Sequence, residues 1–403
     1  MRKLFFVTTI AGSLNFFKGQ YQLLSKDFEI KAISSDKERL EQIGKENEID
    51  IHYIPMEREI SLFKDFYCLI CFICYFIKER PYIVHGNTPK GSLLSMIAAW
   101  ITRVPVRIYM CHGLRYQGCG GFKRKLLMFM ERISCRCATE VICVSNGIKD
   151  VLIEDKITNK TPVVIWNGSV RGIDTIKFDP ENFKDKSSLR QQHNINENDF
   201  VVTFIGRLVK DKGINELVEA INYLHTKYAN IKLLLIGGFE NTGNPISDIT
   251  KKIIDESDFI IATGPQSDVV PFLSITDLFA FPSYREGFGL SLMEAGAMGV
   301  PSVASNIPGC NEVVIDGETG ILIPSHSSQA IIESIENLYN NRELLNQIKS
   351  NCRNSIIERY EQKKLWQYYK EYYHICIREL PLLLFFHIIT VFLFSDAILR
   401  KKY

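Results

Sequence analysis

The chain has 403 residues, enough for two or three domains with their own cores. Composition is that of an ordinary globular protein, and a formal net charge of +2 supplies no basic field of the kind nucleic acid requires. The 11 cysteines are scattered, with neither a paired metal spacing nor a secreted disulfide framework, which reads as reduced thiols in a cytosol-facing protein.

The run Leu4-Phe-Phe-Val-Thr-Thr-Ile10 predicts a buried strand, too short to be a signal-peptide core. Ala11-Gly-Ser-Leu-Asn15 then turns into a helix through Phe16 and Phe17, and further short strands are expected at 28–33 and 51–54. From Phe66 to Ile77 the chain is apolar without a break, against the ~20 residues a spanning helix needs. It reads as a helix that is either deeply buried or dips one face into a membrane surface. Strand, loop and helix recur at His85-Gly-Asn-Thr-Pro-Lys-Gly91 and at Val106-Arg-Ile-Tyr-Met-Cys-His-Gly113. Such alternation argues for a parallel, doubly wound sheet, whose ligands sit at the carboxyl ends of strands. His112 is therefore in the right kind of place for a ligand, although a lone histidine is often structural. His85, Asn87 and Arg115 lie nearby in sequence. The helix from Lys123 carries Arg124, Lys125, Arg132 and Arg136 among apolar residues, and suits anionic headgroups, a diphosphate, or simple solvation of its charges. Strands at 141–145 and 163–167 precede an Asn167-Gly turn and a polar linker over 171–198.

A second series opens with Phe200-Val-Val-Thr-Phe-Ile-Gly-Arg207, followed by Lys210, Lys212 and Gly213 and a helix from Ile214. Ile231 to Gly238 and Ile260 to Pro265 read as strands ending in glycine turns. Asp277 to Ser283 is a buried strand, after which comes Glu286-Gly-Phe-Gly-Leu-Ser-Leu-Met-Glu294. Glu286 then sits on a loop and Glu294 inside the following helix. Gly287 and Gly289 allow close backbone approach, and a helix N-terminus favours anions. A carboxylate in that helix can accept two hydrogen bonds from a vicinal diol such as a ribose, which suits a sugar nucleotide. Further strands are expected at 300–305 and 320–324, and polar helices from about 326 to 378. The apolar run Leu380 to Phe394, with Pro381 and His387 inside it, favours membrane attachment.

The pattern Glu, seven residues, Glu, with Gly-Phe-Gly between and Gly-Val-Pro after it, resembles the retaining glycosyltransferases of family 4. The resemblance runs from Leu4 to Pro324, with its specific motifs in the second half. It implies an α/β fold of GT-B type: two Rossmann-like, doubly wound domains facing across a cleft, with a C-terminal helix returning to the first. The expected limits are 1–175 for an acceptor domain, 198–355 for a donor-nucleotide domain, 356–379 for the crossover helix and 380–403 for a membrane-associated tail.

By the same resemblance Arg207 and Lys212 neutralise the leaving nucleoside diphosphate, with Lys210 a competitor, and no metal or other cofactor is used. Glu294 holds the ribose; Glu286 and the backbone at Phe288, Gly289 and Leu290, with Gly287, hold the sugar. Gly206 joins the donor contacts, as do Gly12 and Ser13, although the first loop has one glycine where the family often has two. His112 contacts the donor sugar near the reacting carbon, and His85, Asn87 and Arg115 face the acceptor. The implied reaction moves a hexose or N-acetylhexosamine from a nucleoside-diphosphate sugar, UDP favoured, to a polyprenyl-diphosphate-linked glycan at the cytoplasmic face of the plasma membrane. Competing readings are transfer to a small soluble acceptor, a sugar-nucleotide epimerase, for which no buried carboxylate set is evident, and a non-catalytic glycan-binding scaffold on the membrane. No nucleic-acid partner is expected.

Overall fold

The computed structural model describes residues 1–240 and 244–378. They fall into two compact units, one of residues 1–144, 149–166 and 363–378, the other of 145–148 and 167–362. The apolar tail and the end of the expected crossover segment, from residue 379 on, lie outside the described residues.

The first unit is built on β1 (Arg2–Ile10), β2 (Phe28–Ser35), β3 (Asp50–Tyr53), β4 (Ile83–Gly86), β5 (Val106–Cys111), β6 (Glu140–Cys143) and β7 (Val163–Val164), in the order β3-β2-β1-β4-β5-β6-β7. All these pairings are parallel. Leu4, Phe5, Phe6 and Val7 are all fully buried. A parallel strand covered on both faces has no wet side, so it reads as a continuous apolar run. The chain leaves β1 toward β2 on one side and returns to β4 on the other. The switch point, where such sheets bind ligands, therefore lies between β1 and β4.

Three successive crossovers, β3 to β4, β4 to β5 and β5 to β6, step the same way along the sheet. Right-handed connections put their helices, Leu62–Glu79, Pro89–Ile101 and Gly121–Cys137, on one face, with Pro89–Ile101 packed against both others. The Leu62–Glu79 helix is not deeply buried. Cys68, Phe72 and Phe76 pack inward, while Phe63, Phe66, Tyr67, Ile70 and Ile77 are exposed. Ala11–Phe17 forms 3-10 turns, not the start of an α-helix, and β7 is shorter than expected.

The helix that starts at residue 362 belongs, over 363–378, to this unit. Leu365, Tyr369 and Tyr373 are buried, Lys370 and His374 reach Asp27 at 2.9 and 2.8 Å, and Trp366 lies so close to Gly19 that a Cβ there would meet its ring at 2.2 Å. Gly19 also has φ +84°, a conformation that favours glycine.

The second unit carries β8 (Phe200–Ile205), β9 (Ile231–Ile236), β10 (Ile260–Gly264), β11 (Leu278–Phe281), β12 (Ser302–Ser305) and β13 (Gly320–Ile323), ordered β10-β9-β8-β11-β12-β13 and again parallel. Every residue of β8 is buried, including Thr203, whose hydroxyl pairs with that of Thr276 at 2.7 Å. The switch point here lies between β8 and β11.

Candidate active site

In the second unit the loops after β8 and β11 meet at the switch point. The 3-10 turn Lys210–Lys212 ends at Gly213, with φ +70°, and a Cβ there would stand 2.1 Å from the Pro282 carbonyl oxygen. Glycine is required both by that left-handed backbone and by the close approach of the loops. The Asp211 carbonyl accepts from Tyr284 N at 2.8 Å and Ser283 Oγ at 3.2 Å. Its carboxylate accepts from Arg285 Nη2 at 2.6 Å and Nε at 3.0 Å, and from the Asn244 amide. These bonds hold Lys212 against Glu286. The ammonium donates to Glu286 Oε1 and lies 5.4 Å from the centre of the Phe281 ring. Both side chains are largely withdrawn from solvent, so the pair is stronger than a surface one.

Arg207 stands on the same edge but outside this cluster. It is exposed and donates to Glu240 at 2.8 Å. An exposed pair of this kind is worth about 0–1 kcal/mol, so exchanging Glu240 for another anion would cost little. Gly206 lies beside it and Lys210 is exposed in the next turn.

Glu294 is buried in the helix Leu290–Ala297 and accepts from Arg171 Nη2. Burial pushes its carboxyl above the usual range, and Arg171 pulls it back down. Arg171, 123 positions away in the Asn-Gly turn, is the partner that sequence reasoning did not supply; no local spacing signals it. Of the backbone groups assigned to the sugar, Gly289 N–H donates to Gly309 O and Leu290 N–H to Phe288 O, both at 2.9 Å. Phe288 and Gly289 are buried, whereas Gly287 and Leu290 are half-buried. Cys310, also buried, feels the Glu286 charge, which adds to burial in raising its thiol pKa.

In the first unit the ends of β1, β4 and β5 are laced together. Thr9 N and Oγ1 each lie 2.8 Å from Thr88 Oγ1, and Gly91 N donates to Thr9 Oγ1 at 2.9 Å. Thr88 adopts φ +66°, a strained position for a β-branched residue. Above this lacing sits His112, half-buried, 5.7 Å from the Phe16 ring and stacked on it. Its Nε2 is 3.0 Å from Asn87 Oδ1. Asn87 Nδ2 donates to the His85 carbonyl at 3.1 Å, so its oxygen is the atom left for His112. That arrangement selects the tautomer protonated at Nε2, leaving Nδ1 as an acceptor. Burial lowers the His112 pKa to about 4. His85 is fully buried between Phe6, Phe17 and Tyr373, with Nδ1 2.7 Å from the Tyr373 hydroxyl, and its pKa falls to about 3 through burial, with His112 adding to the effect. His85 thus stands under the site, not at its surface, and the fully buried Asn87 links it to His112. Gly12 is exposed with open space around it, Ser13 is half-buried, and Arg115 is exposed on a short turn beyond His112. Among the described residues, no group of three or more His, Cys, Asp or Glu side chains gathers as a metal site.

Two family models match the chain, "Glycosyltransferase Family 4" over residues 22–169 and "Glycosyl transferases group 1" over 185–355. A capsular polysaccharide biosynthesis glycosyltransferase of Staphylococcus aureus, CapM, is 35% identical over 388 residues, covering 94% of this chain and 98% of its own. The chain belongs to the family 4 glycosyltransferases. Another relative, the Escherichia coli UDP-Gal:alpha-D-GlcNAc-diphosphoundecaprenol alpha-1,3-galactosyltransferase, is 27% identical over 84% of this chain and 87% of its own. Among solved structures, Anabaena HepE in complex with UDP and glucose superposes with a TM-score of 0.74 at 18% identity, over 93% of this chain and all of the other. Sucrose-phosphate synthase of Thermosynechococcus elongatus gives 0.73 at 19%, over 94% of this chain. These likenesses establish the GT-B fold of this glycosyltransferase.

Proposed function

We propose that this glycosyltransferase moves a hexose or N-acetylhexosamine from a nucleoside-diphosphate sugar, UDP favoured, to a polyprenyl-diphosphate-linked glycan in surface polysaccharide synthesis. The work is done at the cytoplasmic face of the plasma membrane by a peripheral or tail-anchored protein. The reading is supported by the two relatives, one named for capsular polysaccharide and one for a UDP-sugar donor and a diphosphoundecaprenol-linked acceptor. The observation that carries it is the placing of Lys212 against Glu286, with Arg207 on the same strand edge, at the switch point of the second sheet.

The chemistry follows from those charges. The bond between the anomeric carbon and the donor phosphate oxygen breaks, and the acceptor hydroxyl oxygen bonds to that carbon on the same face. The hydroxyl proton passes to the leaving phosphate oxygen. Negative charge therefore grows on the diphosphate, and Arg207 and Lys212 stabilise it without a metal ion. Glu294 holds the ribose. Glu286 and the loop Gly287 to Leu290 hold the sugar hydroxyls, with Gly206, Gly12 and Ser13 among the donor contacts. His112, neutral at physiological pH, offers Nδ1 as an acceptor to a sugar hydroxyl. Asn87 acts through His112, and Arg115 is the acceptor contact.

The test is transfer by purified full-length protein from a panel of UDP- and GDP-sugars to short polyprenyl-diphosphate-sugar acceptors, with and without a chelator. We expect one donor to be used in both conditions and the activity to vanish in the Arg207→Ala, Lys212→Ala double variant. A folded sample that binds no nucleotide sugar overturns the reading and favours a scaffold.

A further inference from the structure

We propose that the outer face of the helices Leu62–Glu79 and Gly121–Cys137, with the C-terminal end of Pro89–Ile101 between them, is a docking surface for an anionic phospholipid bilayer. The apolar part is an unbroken stripe. Phe63, Phe66, Tyr67, Ile70, Cys74 and Ile77 recur at three- and four-residue spacing on the exposed side of the first helix. Phe63 is 93% exposed, more than a globular surface ordinarily leaves a phenylalanine. Trp100 and Ile101 are exposed on the middle helix, and Phe122 and Phe129 on the third. Their shared face follows from the right-handed crossovers already described, so the apolar residues form one side of one sheet layer, not a scatter.

Charge decides the occupant. On the two outer helices every exposed charged residue is a cation: Lys64, Lys78, Lys123, Arg124, Lys125, Arg132 and Arg136. The carboxylates of the same helices are turned in and satisfied. Asp65 takes Lys90 at 2.6 Å, Glu79 takes Lys3 at 2.9 Å and Lys31 at 3.4 Å, and the buried Glu131 accepts from the Tyr109 hydroxyl. Three of the cations have polar partners: Lys64 pairs with Glu57, Arg124 lies 3.7 Å from Asp155, and Arg132 donates to the Lys156 and Asp155 carbonyls at 3.2 and 3.3 Å. The whole chain carries only +2, so this one-sided distribution is a property of the face. On the third helix Phe122, Lys125, Phe129, Arg132 and Arg136, at three- and four-residue spacing, place two rings and three cations along a single stripe. Rings at the acyl boundary with cations among phosphates is how an interfacial helix binds. A second copy of the chain would instead bring the same cations against each other. Among the described residues no helix is long and apolar enough to cross a membrane. Its use, bringing the enzyme to a lipid-linked acceptor, rests on the proposed function; its geometry does not.

The experiment is partition of the full chain onto vesicles of phosphatidylcholine alone and of phosphatidylcholine with phosphatidylglycerol. Two variants are compared with the wild type: Lys123→Glu, Lys125→Glu, Arg136→Glu, and Phe63→Ser, Phe66→Ser, Ile70→Ser. All three proteins are also assayed for transfer to a water-soluble acceptor and for sedimentation mass. At about fivefold per cation, the charge variant should bind the anionic vesicles ~100-fold more weakly while transfer to the soluble acceptor is unchanged. The apolar variant should lose about tenfold or more on both vesicles. Unchanged partition in either variant overturns the proposal and leaves attachment to residues 380–403. A dimer that the apolar variant dissociates, with vesicle binding intact, overturns it in favour of a self-interface. Failure of the enzyme reading is separately visible as absence of transfer by every protein, including the wild type.

Discussion

The two units solve the same architectural problem with opposite electrostatics. At the β8–β11 switch point side chains of opposite sign are matched in pairs: Lys212 with Glu286, Arg207 with Glu240, Arg285 with Asp211, and Arg171 with Glu294. At the β1–β4 switch point the polar groups are hydroxyls, an amide and two imidazoles held neutral by burial. On the proposed reading the second unit's site receives a diphosphate, which calls for fixed cations that the carboxylates would hold in place until the anion arrives. A site that meets hydroxyl groups needs acceptors with a fixed direction, and a neutral imidazole in one tautomer supplies that. Parallel strand order sets where each site is; the loop chemistry sets what it can hold.

If this contrast is right, the largest effect falls on the matched cations. Lys212→Ala should lower kcat/KM about 10²–10³-fold, as expected for a group that stabilises charge developing in the transition state, and it strands Glu286 without its partner. Steady-state kinetics check this; a loss of threefold or less would remove Lys212 from the mechanism. Next comes Glu294→Gln, which keeps the shape but breaks the ion pair with Arg171. Donor affinity measured by calorimetry should fall about 10–100-fold, the worth of a charge-assisted hydrogen bond, with kcat nearly unchanged.

On the neutral side, Asn87→Asp places a carboxylate against His112 Nε2. It should raise the imidazole pKa from about 4 toward the ordinary 6.5, because a negative neighbour favours the charged ring. An NMR titration of His112 and an acid limb of the rate profile moved upward would show it. A His112 titration identical to wild type would mean that Asn87 does not set its state.

The effect least tied to catalysis is on stability against pH. His112 and His85 have folded pKa values of about 4 and 3, below their ordinary 6.5. The unfolded chain binds more protons there, so stability is lost as pH falls from 6.5 toward 4, by up to ~1.4 kcal/mol per pH unit for each ring. Glu131 acts in the opposite sense between 4.5 and about 7, because its carboxyl is raised by burial and releases its proton later in the folded state. His112→Asn should therefore flatten the acid side of a urea-unfolding series by about one proton, while changing stability little at pH 7.5.

What was legible in the sequence was whatever depends on short spans. Continuous apolar runs marked β1, β8 and β9 because a doubly covered strand has no polar side. Glycines marked turns that only glycine permits, such as Gly213. The Glu286 to Glu294 spacing and the Gly206 to Gly213 turn are each legible as local motifs, and the fold brings Lys212 of one onto Glu286 of the other across 74 positions. The apolar run Phe66 to Ile77 was visible as a helix, but its two faces were not. A residue string that is apolar all round does not say which side meets the sheet.

By itself, then, the sequence determined the α/β class and the strand-and-turn series of both halves, which rest on local periodicity and backbone preference, and it carried the Glu286 to Glu294 motif by which the chain resembles family 4. Only the tertiary structure decided that Arg171 closes on Glu294, that Tyr373 fixes His85 under the site while Asn87 orients His112, and that the Leu62–Glu79 helix turns an apolar face outward on which the exposed charges, Lys64 and Lys78, are both positive. Those are contacts across 25 to 288 positions, chosen by how sheet order brings loop ends together and not by any interval in the chain.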